Sequence, residues 1–176
     1  MTPEHRGPPA LVLPEPVWST IRRHVKADYP DEGCGILVGV PQEAAWRVTD
    51  AVVCENIVDP ADRPRRFEID PRVVLRLQRE LRGTGRQILG FYHSHPDGRS
   101  ELSGTDMMYV RLWPRTVWLV VPIPGGEPGE PRAWWLPGPD AADAVEMALE
   151  WGPGPVRPTE AEHPDGLGAP AGARDD

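Results

Sequence analysis

The chain has 176 residues, with 19 Lys and Arg against 27 Asp and Glu, five His and two Cys. That length suits one domain around one core. The formal net charge of −8 argues against a nucleic-acid-binding surface, which needs clustered positive charge, and no window approaches the roughly 18 apolar residues of a membrane span.

Residues 1–9 read as a flexible N-terminal tail. The opening MTPEHRGPPALVLPEPV has no basic start followed by an apolar run, so no signal peptide is expected. We expect a soluble cytoplasmic protein with Cys34 and Cys54 reduced and packed in the core. ALVLP (10–14) is a short strand. Val17, Ile21 and Val25 then recur at helical spacing with Arg22, Arg23 and Lys26 on the other side, Pro16 in the first turn and Pro30 after the end. His24 on that helix reads as solvated or partly packed. GCGILVGV (33–40) is a buried strand whose glycines imply close backbone neighbours. AWRVTDAVVCENI (45–57) is a second strand with a bend near Asp50, and DPADRPRR (59–66) is a loop.

FEID (67–70) reads as a short strand, and Asp70-Pro71 as the N-cap and first turn of a helix carrying Val74, Leu77 and Leu81 and ending at Gly83. QILGFYHSH (87–95) is a strand, SGTDMMYVRLW (103–113) a helix stopped by Pro114, and TVWLVVPI (116–123) and RAWWL (132–136) are strands. In 144–151, Val145, Met147, Leu149 and Trp151 alternate with Glu146, Ala148 and Glu150, which predicts one strand. From Gly152 the chain is rich in Pro and Gly with almost no large apolar residue, so 152–176 is expected to be disordered. Strands interleaved with two longer helices and a short one predict a mixed α/β domain over 10–151.

One window carries chemistry: GFYHSHPDGRSELSGTD (90–106). Residues two apart on a strand share a face, so His93 and His95 project side by side. PDG (96–98) is a turn signal, and Asp106 lies in the first turn of the next helix, where the dipole favours a carboxylate. Two imidazoles and one carboxylate with a vacant fourth position make the catalytic zinc pattern. Each half also has a metal-free reading: a packed, hydrogen-bonded histidine pair, and a capping box of Ser103 with Asp106.

HSHPDGRSELSGTD resembles the JAMM (MPN-plus) metalloprotease signature: H-x-H-P, six residues, then S-x-x-D. YPDEGCGILVG (29–39) matches the family's upstream glutamate segment at Glu32. ENIVDPADRPRRFEIDP (55–71) matches its Asn after the second strand and its Phe-x-x-Asp-Pro lead into a helix. Leu102 departs from the proline frequent in bacterial members and removes no ligand. Residue type and position alone do not separate Glu32 from the chain's other acids.

The resemblance implies a strongly curved mixed β-sheet flanked by helices, of the cytidine-deaminase-like kind. It implies one Zn²⁺ held by His93, His95 and Asp106, Glu32 as general base, and Ser103 as oxyanion donor. Rival patterns fit less well: residue 98 is Gly98 where a metallo-β-lactamase motif needs His, and only His163 follows His95, where an amidohydrolase needs further histidines.

The chain resembles the small stand-alone prokaryotic members, which implies a peptidase acting on the C-terminal tail of a ubiquitin-like sulfur-carrier protein, with a role in cysteine or cofactor sulfur metabolism. The alternative is an isopeptidase removing a ubiquitin-like modifier from lysine. The remaining reading is an inactive scaffold, but such members lack the ligands this chain keeps.

Overall fold

The computed structural model describes residues 10–138 and 141–153. The expected tail over 1–9, and the expected disorder from 154 on, lie outside the described residues. In chain order the elements are β1 (Leu11–Pro14), α1 (Glu15–Asp28), β2 (Cys34–Pro41), β3 (Trp46–Cys54), α2 (Pro71–Glu80), β4 (Gln87–His95), α3 (Gly104–Leu112), β5 (Val117–Pro122), β6 (Arg132–Trp135), β7 (Val145–Met147) and β8 (Leu149–Gly152). The strands form one sheet in the order β7-β6-β5-β4-β2-β3-β1-β8. β2 is antiparallel to both β3 and β4, while β4 runs parallel to β5. The two outermost strands are consecutive in the chain with Ala148 between them, so the sheet curls until its edges nearly meet. This is the curved mixed α/β sheet that the resemblance implies.

The period-two pattern of β2 divides the core. Leu37 faces α1, whose Val17, Trp18, Ile21 and Val25 are buried against it with Leu11, Leu13 and Leu119. Burying each such side chain contributes about 1.5–3 kcal/mol. Cys34, Ile36 and Val38 face the other way, toward Val74, Leu81 and Val110 beneath α2 and α3. The glycines of β2 serve the predicted close approach: the Tyr92 ring lies across Gly35, where a Cβ would collide with it. The Tyr92 hydroxyl reaches His24 Nδ1 at 2.9 Å, so that histidine is packed rather than solvated. The bend expected near Asp50 is a bulge: the β2–β3 register shifts between Val38 and Gly39, leaving Thr49 unpaired.

Two expectations are corrected. FEID forms no strand. Glu68 N–H goes to the Asn56 side chain and Glu68 carbonyl accepts from Ile57 N–H, which leaves no ladder to extend. The single strand over 144–151 is two strands on opposite edges of the sheet. Ala148 carbonyl accepts from Leu11 N–H at 2.8 Å, so the chain leaves β6, where β7 is antiparallel, and joins β1, where β8 is parallel. Of the alternating apolar residues, Met147 is buried, while Val145 and Trp151 are about half exposed. β8 also runs to Gly152, one residue beyond the expected boundary. No helix among the described residues is long and apolar enough to cross a membrane.

Candidate active site

β4 delivers both histidines at its C-terminal end, on the sheet face that carries Cys34 and Phe91. The next turn is fixed by the Gly98 N–H, which donates to the His95 carbonyl, with Gly98 at φ 79°, in the left-handed region that glycine tolerates. The chain then reaches α3. Ser103 is its N-cap: Asp106 N–H donates to Ser103 Oγ at 3.1 Å, and Ser103 N–H donates to Asp106 Oδ2 at 2.6 Å. The capping box and the three-residue group are therefore both present. The reciprocal bonds aim the Asp106 carboxylate at the histidines.

His95 Nε2 lies 3.1 Å from Asp106 Oδ2, and His93 Nε2 lies 3.3 Å from Asp106 Oδ1. Ligand atoms of the three residues all fall within 4.8 Å of one another. His95 Nδ1 stands 3.1 Å from the Arg99 carbonyl. A carbonyl only accepts, so Nδ1 carries the hydrogen and Nε2 offers a lone pair. Burial holds the His93 imidazole below its ordinary pKa, against the pull of Asp106, which keeps it in the neutral form a metal ligand requires. For His95, burial is outweighed by Asp106 and Glu32, and the net shift is upward. Burial would raise Asp106, but both imidazoles and the Ser103 side chain hold it well below the usual carboxylate range. Lone pairs converging in a buried space fit a divalent metal ion, and the site could hold one.

Glu32 precedes β2. Cys34 pairs with His93 across β2–β4, and Ser94 N–H donates to the Gly33 carbonyl at 2.9 Å. Continuing that antiparallel register sets Glu32 opposite His95, on the face of the histidines. Glu32 is buried, and its Oε2 has no hydrogen-bond partner among the described residues. Burial pushes its pKa up to about 8, His95 pulls it down, and Asp106 and Asp97 push it further up. An unpartnered buried carboxylate oxygen is costly for stability and points to a chemical role. The structure thus brings together all five residues read from the sequence: Glu32, His93, His95, Ser103 and Asp106.

Further residues shape the site. Phe67 stacks on His93, with ring centroids 4.6 Å apart and planes at 22°. Ser94, between the two histidines and so on the opposite face, accepts from Gly33 N–H at 2.9 Å and pins the chain beside Glu32. The alternation of β4 could have predicted that placement. The Arg99 carbonyl leaves no signal in side-chain identity. Cys34 and Cys54 are free and buried. Burial pushes the Cys34 thiol far up and Cys54 up to about 11, so neither supplies a thiolate nucleophile.

An apolar cleft of about 360 Å³ opens beside Phe67 between α2 and α3, lined also by Pro71, Leu75, Tyr109, Leu112 and Trp113. Leu75 and Leu112 are 52% and 72% exposed.

Residues 14–137 match the family described as prokaryotic homologs of the JAB domain. The chain is 33% identical over 105 residues to a desampylase of Haloferax volcanii, covering 59% of this chain and 71% of that one. It is 28% identical over 140 residues to a desampylase of Pyrococcus furiosus, covering 80% and 91%. A solution structure from Desulfitobacterium hafniense superposes with a TM-score of 0.64 at 25% identity, covering 81% of this chain and 94% of that one. One from Salinibacter ruber superposes with a TM-score of 0.59 at 27% identity, covering 81% and 91%. The resemblance read from His93, His95, Ser103 and Asp106 is borne out at the level of the family: the chain belongs to the prokaryotic homologs of the JAB domain.

Proposed function

We propose that this chain is a zinc-dependent hydrolase that cleaves the bond after the C-terminal tail of a ubiquitin-like protein. The observation that carries the reading is the convergence of His93, His95 and Asp106 beside a buried carboxylate, Glu32, whose Oε2 has no partner among the described residues. When bound, zinc supplies Lewis acidity, making water more acidic and drawing electrons from a carbonyl oxygen. Glu32 accepts the proton of the attacking water and passes it to the leaving amine. Ser103 Oγ accepts from Asp106 N–H, and the same hydroxyl can donate its hydrogen to the oxygen that gains negative charge when the carbonyl is attacked. The Arg99 carbonyl holds the His95 tautomer, and Phe67 holds the plane of His93.

Removal of a ubiquitin-like modifier from lysine is the favoured reaction, because both similar proteins are desampylases. The exposed apolar cleft beside Phe67 suits a protein substrate better than a free peptide. Trimming of a sulfur-carrier tail uses the same geometry and differs only in the leaving group. Two free cysteines suit a cytoplasmic place of work. The test is to incubate the zinc-loaded protein with a lysine-linked conjugate and with a linear fusion of one ubiquitin-like protein, and to follow both by mass spectrometry. Faster release from lysine supports modifier removal, faster cleavage of the linear fusion supports tail trimming, and two unchanged masses reject the substrate class.

A further inference from the structure

Asn56 follows β3 and is buried. Its side chain uses all four hydrogen-bonding positions on backbone groups. Nδ2 donates to the Glu32 carbonyl at 3.0 Å and to the Arg66 carbonyl at 2.9 Å. Oδ1 accepts from Glu68 N–H at 3.2 Å and from Val58 N–H at 3.4 Å. The pattern fixes the amide orientation, since a flip would set oxygen against two carbonyls and nitrogen against two N–H groups. The partners bracket the site. One is the backbone of Glu32, whose own N–H donates to the Arg63 carbonyl at 2.8 Å. Arg66 and Glu68 flank Phe67, whose ring covers His93.

We propose that Asn56 is a positioning residue that locks Glu32 and, through Phe67, the His93 ring into one rigid unit. The inference rests on reading Glu32 as the general base. Asn56 bonds neither ligand atoms nor the Glu32 carboxylate; it governs where they stand, and a misplacement of about 1 Å at such a site costs on the order of 10²-fold in rate. Aspartate has the same size but no donor when ionised. Asn56→Asp would therefore face the Glu32 and Arg66 carbonyls with nothing to give, whereas Asn56→Ala removes all four bonds without adding charge.

The experiment compares the full chain with Asn56→Asp, Asn56→Ala and Phe67→Leu. It reads zinc content, amide hydrogen exchange at Glu32 and Glu68, the visible spectrum after cobalt replaces zinc, and kcat and KM on the better ubiquitin-like substrate. Both Asn56 variants are expected to keep the metal, to exchange at least about tenfold faster at Glu32 and Glu68, to shift the cobalt spectrum, and to lose about 10²-fold in kcat with KM little changed. Phe67→Leu is expected to shift the cobalt spectrum while leaving exchange at Glu32 as in the wild type. An unshifted cobalt spectrum and wild-type kcat in Asn56 variants whose exchange is faster would overturn the proposal, as would a kcat that falls only with the fraction of unfolded chain. Should both Asn56 variants fail to fold, an unshifted spectrum in Phe67→Leu overturns the His93 arm. Failure of the underlying reading is seen separately: turnover retained by Glu32→Gln rejects the base, and exchange and the cobalt spectrum still decide the role of Asn56.

Discussion

His93 Nε2 and His95 Nε2 face each other at 3.0 Å, and the Asp106 carboxylate closes the triangle at 3.3 and 3.1 Å. Asp106 supplies the group's negative charge, and its own cap on α3 aims it. Asp106→Ala is expected to weaken zinc binding by at least about 10²-fold, because the proposed carboxylate ligand is then lost outright. Metal analysis after dialysis against a weak chelator checks this. Equal zinc in variant and wild type would remove Asp106 from the ligand set.

Glu32 makes the metal-free protein sensitive to pH. Its carboxyl titrates near 4.5 when unfolded and at about 8 when folded, so between those values the folded state binds more protons than the unfolded state. Stability is therefore expected to fall as pH rises from 4.5 toward 8, by up to about 1.4 kcal/mol per pH unit from this group. Glu32→Gln does not titrate. Subtracting its denaturation curves from those of the wild type, both metal-free, isolates the effect; two parallel pH profiles would show that Glu32 is not held protonated.

Ser103 caps α3, and the proposed mechanism gives it a second role as oxyanion donor. Ser103→Ala is expected to cost about 1 kcal/mol in stability, the usual value of an N-cap, and about 10²-fold in kcat, the usual value of an oxyanion donor. Zinc content should stay at the wild-type level. Denaturant melts and steady-state rates measure the two separately, and a stability loss of about 1 kcal/mol with unchanged kcat would confine Ser103 to capping.

The cleft between α2 and α3 is the expected seat for the body of a protein substrate. Leu112→Glu and Leu75→Glu replace exposed apolar contacts and are expected to raise KM for the protein conjugate by about tenfold, a loss of about 1.4 kcal/mol. Cleavage of a short tail peptide should be unaffected. Kinetics on both substrates check this, and an equal effect on both would point to damage at the metal centre instead.

The placement of the histidines and of the capped aspartate was legible because it is local. His93 and His95 lie two apart on a strand, Ser103 and Asp106 three apart at a helix start, and both spacings have one geometric reading. Glu32 became legible only through resemblance, since its place opposite His95 depends on how β2 and β4 pair, which no local pattern encodes. The hydrogen-bonding of Asn56 and the Arg99 carbonyl is tertiary in the same sense. In the fold, the nearly continuous apolar runs that became β2, β4 and β5 were read correctly as strands. FEID was misread because the Asn56 side chain takes the Glu68 N–H that a ladder would need. The alternation over 144–151 was real, but whether one strand or two results is decided by the bond from Leu11 N–H to the Ala148 carbonyl, made by a residue more than a hundred positions away.

In the proposed mechanism Glu32 acts as base beside a zinc ion held by His93, His95 and Asp106. The decisive measurement is the cleavage rate of a ubiquitin-like conjugate by wild type and Glu32→Gln at equal zinc content. Measurable turnover is expected of the wild type, with a loss of about 10²–10⁴-fold in the variant, the usual worth of general acid–base catalysis. Turnover by Glu32→Gln at the wild-type rate would contradict this mechanism.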